Sequence, residues 1–268
     1  MKYFYLLFIS VILLTSCTEE KQTVLKNAEC ALELGSKNGL PFIERGVWRD
    51  SGENAFSHNG PITLDQWLPR ELGELKDSSA ARWQIKKQRG LQKAECSKII
   101  GDLNVMWIVE LFEDISFFRV SINMKNISTK NVEVKWFPAW AATWRLPNAQ
   151  KKSLHTWRPL SYEPLKTELA PNTKHTLFST LYSSDSHGVD SHVPFWQLTD
   201  GESAIFFSLG WSGGWQADFV EKENSTNFQV KLPPQETQLK LAPGESITGP
   251  YMYVSLHQGD DPVQNRKE

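Results

Sequence analysis

The sequence predicts an all-β protein made of large antiparallel sheets, with few or no helices beyond its first residues. Three observations carry this prediction. In the second half of the chain, apolar residues recur at every second position in short runs, the period of a strand with one buried face. Clusters of Gly, Pro, Asn, Asp and Ser bound these runs and read as turns. Eleven tryptophans stand in 268 residues, seven of them between Trp136 and Trp215, and aromatic side chains suit a pleated, half-buried surface. Packing accounts for most of them, leaving one or two for a ligand surface.

The first residues are read apart from the fold. Lys2 precedes an apolar run from Tyr3 to Leu14, shorter than the roughly 20 residues of a membrane-spanning helix, and Leu14-Thr15-Ser16-Cys17 follows. This resembles a bacterial lipoprotein signal, in which the cysteine is acylated through its thiol and becomes the new first residue. An ordinary secretory peptide or an uncleaved anchor are the alternatives. Thr18-Glu19-Glu20 resembles the acidic signal that sends some lipoproteins of Gram-negative bacteria to the cell surface. The expected organisation is a signal peptide over 1–16, a polar tether over 17–28, one β domain over 29–257 and a polar tail over 258–268. The expected location is the cell envelope, with a lipid anchor in the outer membrane or at the cell surface.

A formal net charge of -2 offers no electrostatic footprint for nucleic acid. Beyond Cys17 there are two cysteines, Cys30 and Cys96. In an oxidising compartment they could form a disulfide, stabilising by about 4 kcal/mol in the chain-entropy model, or stay as two buried free thiols. Spacing alone leaves both open.

Between Cys30 and Gly101 the apolar pieces are short and separated by turn signals at Lys37-Asn38-Gly39, Asp50-Ser51-Gly52 and His58-Asn59-Gly60-Pro61. Trp48 and Trp67 receive no role from the sequence. Phe118, Val120, Ile122 and Met124 alternate with polar residues, as do Val132, Val134 and Trp136, which predicts a hairpin across the polar turn Asn126–Asn131. Trp136, Trp140 and Trp144 recur every four residues, but Pro138 argues against a helix, so a strand running into an irregular aromatic loop is expected. Strands are expected over His175 to Tyr182, Phe228 to Leu232, Leu239 to Leu241 and Gly249 to Leu256.

The stretch Tyr182 to Gln216 carries the chemistry. A loop with Asp185, His187, Asp190 and His192 runs into Pro194-Phe195-Trp196, and an apolar strand Ala204 to Leu209, read as buried on both faces, ends at Gly210-Trp211-Ser212-Gly213-Gly214-Trp215. Two histidines and two carboxylates could hold a divalent metal, but their spacing fits no structural zinc pattern, and a polar, sugar-facing loop is the preferred reading. Asp185 and Asp190 are poorly placed as a glycosidic pair, which must face across a substrate about 5 to 10 Å apart. The flat indoles of Trp196, Trp211 and Trp215, with Asp185 and His187, are the candidate carbohydrate contacts. No metal, cofactor or catalytic residue is assigned.

Ser183-Ser184, Pro194-Phe195-Trp196-Gln197-Leu198, the run Phe207 to Trp215, Leu241-Ala242-Pro243-Gly244-Glu245 and Gly249-Pro250 together resemble the N-terminal β-supersandwich domain of melibiase-type α-galactosidases, glycoside hydrolase clan D. The resemblance is ordered and spans the second half of the chain. It implies a large antiparallel β-supersandwich. Family members continue into a (β/α)8 barrel with two catalytic Asp residues, and nothing here resembles that barrel. The expected function is therefore a carbohydrate-associated domain that holds a galactoside or other glycan without cleaving it. The alternatives are the N-terminal part of an α-galactosidase whose barrel is missing or separately encoded, and a structural or interaction module that touches no sugar.

Overall fold

The computed structural model describes residues 23–49, 51–58, 72–148, 152–158, 163–179, 192–211, 213–222, 225–232 and 239–259. Cys17, Trp67, Asp185, His187 and Asp190 lie outside them.

The chain opens with β1 (Thr23–Lys26), β2 (Cys30–Lys37), β3 (Leu40–Trp48) and β4 (Asn54–His58). A meander follows: β5 (Gln84–Gln88), β6 (Leu91–Ile100), β7 (Leu103–Phe112) and β8 (Phe117–Asn126). Then come β9 (Val132–Val134), β10 (Phe137–Arg145), β11 (Ser153–Thr156), β12 (Leu165–Glu168), β13 (Lys174–Ser179) and β14 (Phe195–Thr199). The last are β15 (Ser203–Leu209), β16 (Trp215–Lys222), β17 (Ser225–Leu232), β18 (Leu239–Leu241), β19 (Ser246–Thr248) and β20 (Met252–Gln258). No α-helix occurs among the described residues.

All pairings are antiparallel. One sheet of eight strands has the order β1-β2-β3-β4-β10-β17-β16-β13, and a second of ten has the order β12-β11-β14-β15-β20-β8-β7-β6-β5, with β19 added beside β8. The inner faces meet in one aromatic core. Trp140 on β10 meets Phe118 on β8 edge-on at 6.1 Å, Phe207 on β15 lies 5.2 Å from Phe228 on β17, and Trp196 on β14 stacks on Trp215 of β16 at 5.5 Å. Each of these contacts joins one sheet to the other. Burial of such large apolar surfaces, plus the edge-on and offset ring geometries, is the dominant cohesive term.

Local sequence explains the turns. Asn38 and Gly39, between β2 and β3, both take positive φ (54° and 75°), as a two-residue type I′ hairpin turn requires. Pro138 is tolerated inside β10 because the pairing with β17 shifts register between Pro138 and Trp140, a bulge that relieves the ladder of the missing N–H. Past the bulge, Trp140 and Trp144 sit an even number of residues apart and both point inward, 3% and 1% exposed. The expected irregular aromatic loop is thus a strand, since a four-residue recurrence satisfies a two-residue period as well as a helical one.

Three other expectations change. β9 does not form a hairpin with β8; it pairs with β18, through Leu239↔Val134 and Leu241↔Val132. The Asn126 side chain turns the chain away by donating to the carbonyls of Lys130 (2.6 Å) and Leu241 (2.9 Å). Cys30 and Cys96 are free, buried thiols on strands of different sheets, so the disulfide is not formed. Cys30 faces the core, whereas Cys96 lies outside that cluster. On β15 only one face, Ile205, Phe207 and Leu209, enters the core; Phe206 and Ser208 on the other are half-buried.

Charges are placed by the same pairing. Lys152, just before β11, is buried against Glu221 on β16, and Thr226 donates to the same carboxylate at 2.6 Å, so an ion pair joins the two sheets inside the sandwich.

Candidate functional site

The strands predicted to carry the site form, but the sandwich buries two of its three indoles. Trp196 and Trp215 are 0% and 1% exposed and stack on each other, so neither offers a face to a ligand. Trp211 is 39% exposed. Its indole lies over Gly213, where a Cβ would stand 2.5 Å from Nε1, so the glycine makes room for the ring. Gly210 has the same use: a Cβ there would meet the Tyr253 ring at 2.8 Å. The run Gly210–Trp215 therefore has one indole at the surface and one in the core.

Gly210 leads to a surface that sequence reasoning missed. Its N–H donates to the Tyr251 carbonyl at 2.8 Å. Across the outer face of the ten-stranded sheet, strand register sets Tyr253 beside Arg119, Arg119 beside Glu110 and Glu110 beside Lys93. The Arg119 guanidinium lies 4.1 Å from the Tyr251 ring centre and 5.3 Å from that of Phe112. Phe117 stacks on Tyr253 at 5.8 Å and tilts against Phe112 at 5.0 Å. Arg119 Nε bonds Glu110 at 2.5 Å, and Lys93 stands between Glu95 (2.8 Å) and Glu110 (3.8 Å). Burial works against the Arg119 charge, yet the Glu110 carboxylate outweighs it and raises its pKa.

The result is a half-buried platform of four aromatic rings pinned by an ion-paired arginine. Neither Tyr251 nor Tyr253 spends its phenol hydroxyl on a hydrogen bond among the described residues. Such a surface offers flat apolar faces beside unspent hydroxyls, the combination that a pyranose ring with one C–H face and peripheral hydroxyls fits. The signal was present in the sequence, in Tyr251-Met252-Tyr253 and Phe117-Phe118-Arg119, but the register that brings them together was not.

The other predicted residues fare differently. His192 is half-buried, its ring 6.4 Å from that of Phe178. Trp48 closes the end of β3, 7% exposed and packed in the core, at the border of a cleft. Among the described residues no three His, Cys, Asp or Glu side chains are placed to share a metal ion. Several sheltered carboxylates are engaged: Glu110 with Arg119, Glu221 with Lys152, and Asp218 with Thr176, Gln216 and Lys174. Burial pushes the Asp218 carboxyl up, but hydrogen bonds from those three partners prevail and hold it below the usual carboxylate range.

Solved structures share the two-sheet fold. The galactosidase domain of an α-galactosidase–sucrose kinase superposes with a TM-score of 0.65 at 14% identity, over 88% of this chain and 40% of that one. The GH36 α-galactosidase AgaA of Geobacillus stearothermophilus gives 0.64 at 13% identity, over 89% and 41%. Its fold is that of the α-galactosidase β-supersandwich domain. This chain spans about 40% of the length of these enzymes. A TPR-domain containing protein from Parabacteroides distasonis also matches it, with a TM-score of 0.54 at 12% identity over 92% of this chain and 48% of that one. No protein-family model and no curated protein matches the sequence.

Proposed function

We propose that the protein is a lipid-anchored envelope protein whose β-supersandwich holds a galactoside or another neutral glycan without cleaving it. The observation that carries the glycan reading is the outer platform of Tyr251, Tyr253, Phe117 and Phe112 around Arg119, continued at Gly210 by the exposed Trp211. Stacking supplies affinity and the unspent hydroxyls supply orientation; affinities between about micromolar and millimolar follow from so few contacts. The non-catalytic reading is supported by the sheltered acids Glu110, Asp218 and Glu221, each of which is held in ion pairs or hydrogen bonds with groups of the same chain. The anchor is supported by Leu14-Thr15-Ser16-Cys17 and the polar stretch behind it.

Titrating galactosides while following tryptophan fluorescence tests the platform. A saturable change is expected, weakened by Trp211→Ala and more strongly by Tyr253→Ala, while Trp196 and Trp215 report it only through the core. A flat response across a broad neutral glycan panel would favour a structural module. For the anchor, Cys17→Ala is expected to leave the membrane fraction; retention there would refute lipidation.

A second reading has its own support. The enzymes superposed here exceed this chain in length by more than twofold, so the domain can also act as the N-terminal partner of a separately encoded barrel. A reading frame for such a barrel immediately downstream of this gene would raise that reading above the first.

A further inference from the structure

We propose a second glycan site, distinct from the sheet platform, in the cleft at the end of the sandwich where β3, β10, β15 and β20 terminate or begin. The proposal rests on the reading that the protein handles carbohydrate, and it names where a chain end enters. The cleft measures about 790 Å³ and is bordered by Trp48, Glu53, Asn54, Arg145, Glu202 and Gln258. That volume lies within the roughly 300 to 1,000 Å³ of small-molecule sites.

Two features set it apart from an ordinary surface hollow. The first is that its walls are fixed. Asp200, 1% exposed, accepts the N–H groups of Glu202 (3.0 Å) and Ser203 (2.7 Å) through Oδ1 and that of Asn148 (2.7 Å) through Oδ2. One buried carboxylate thereby ties the β14–β15 turn to the segment that follows Arg145. The opposite wall is closed by the Trp48 N–H on the Glu53 carbonyl and the Gly52 N–H on the Trp48 carbonyl, both 2.9 Å, with Gly52 at φ 69°. Register adds the remaining sides, since Arg145 pairs with Ser57 and Ser203 with Gln258.

The second feature is that the groups on these walls are unspent. The side chains of Glu53, Asn54, Arg145, Glu202 and Gln258 make no hydrogen bond or ion pair among the described residues, although one guanidinium and two carboxylates share the cleft. The more sheltered charges of the molecule are paired, as Glu33 with Arg45 and Glu110 with Arg119. Donors (Arg145, Asn54, Gln258) interleave with acceptors (Glu53, Glu202), and hydroxyls, which both donate and accept, answer both kinds. The lining carries two formal negative charges against one positive, which disfavours uronate or sulfated chains. The ligand class is therefore a neutral oligosaccharide.

Calorimetric titration of the full chain with raffinose and other neutral oligosaccharides tests this, with polygalacturonate as the anionic counterpart. Two sites per chain are expected for the neutral sugars. Arg145→Met or Glu202→Gln weakens one by about tenfold, the cost of a lost charge-assisted hydrogen bond, and Tyr253→Ala weakens the other. Both cleft positions are exposed, and an unchanged near-UV circular dichroism spectrum checks the fold of each variant. A single site lost with Tyr253→Ala and indifferent to Arg145→Met overturns the cleft and leaves the platform standing. A single site lost with Arg145→Met and indifferent to Tyr253→Ala supports the cleft and overturns the platform. No heat with any neutral sugar overturns both, and tighter binding of polygalacturonate at the Arg145-dependent site overturns the ligand class.

Discussion

At the scale of single residues, what separates Trp211 from Trp196 and Trp215 is that it lies between β15 and β16, on neither strand, whereas the other two stand on β14 and β16. All three stand in the same aromatic stretch, and their types gave no way to rank them. Alternation puts Trp196 and Trp215 inside, where they stack across the two sheets, while Gly213 clears space for Trp211 outside. Burial also governs the two free thiols, Cys30 in the core and Cys96 outside it. Burial pushes the Cys30 thiol up to about 12 and the Cys96 thiol up to about 11, so neither forms thiolate near neutrality. Native protein should therefore resist alkylation. After unfolding, two thiols per chain should react if Cys17 is acylated and three if it is not, a count that intact mass spectrometry reads. Fast labelling of Cys30 or Cys96 in the native state would contradict their burial.

Asp218 supplies a pH dependence at the same scale. Its carboxyl is depressed in the folded state, so the stability it contributes is present above the unfolded value of about 3.9 and lost as pH falls through the folded one. Asp218→Asn should lower the melting temperature at pH 7 and match the wild type well below pH 3. An equal deficit at both pH values would mean that the loss is one of packing.

At the scale of elements, the strands were legible and their partners were not. Phe118, Val120, Ile122 and Met124 fall in β8 and all face the core, as their alternation predicted. The pairing of β9 with β18 joins segments about a hundred residues apart, and no local pattern announces it. The same blindness hid the platform, whose rings come from β7, β8, β20 and Tyr251 just ahead of β20. Ion pairs across elements are equally invisible from sequence, and Lys152 with Glu221 is the instructive case. Lys152→Met should destabilise by about 3 to 5 kcal/mol, because it leaves a buried carboxylate uncompensated. Adding Glu221→Leu should recover most of that loss, since an apolar pair needs no compensation. Urea titrations of the single and double variants measure the difference, and an additive loss in the double variant would contradict the coupling.

Gly101, at the turn between β6 and β7, illustrates a constraint of backbone rather than side chain. Its φ is 53° and Lys76, Glu74 and Leu72 crowd the same end of the hairpin, the Gly101 N–H donating to the Glu74 carbonyl at 3.0 Å. Gly101→Ala should cost more than about 1 kcal/mol, by combining left-handed strain with a clash against the Leu72 backbone. A neutral substitution would show that this crossing yields.

At the scale of the whole molecule, the resemblance in the second half of the chain extends to the entire supersandwich once strands are compared instead of residues. At 13–14% identity the shared object is the pattern of inward aromatics and antiparallel neighbours, which many sequences satisfy. That is why the fold was readable and the candidate surfaces were not: core positions obey a period, whereas Arg119, Tyr253, Arg145 and Glu202 are grouped only by where the sheets carry them. The platform and the cleft are the two surfaces on which the proposed sugar binding rests, and the sheltered acids Glu110, Asp218 and Glu221 are bound to bases of the same chain.

Incubating the purified chain with a galactoside it binds, then recovering the sugar, tests this account most directly. The account predicts saturable binding with the glycosidic bond intact after many dissociation times. Release of free galactose, abolished by replacing one of the protein's own carboxylates, would contradict it.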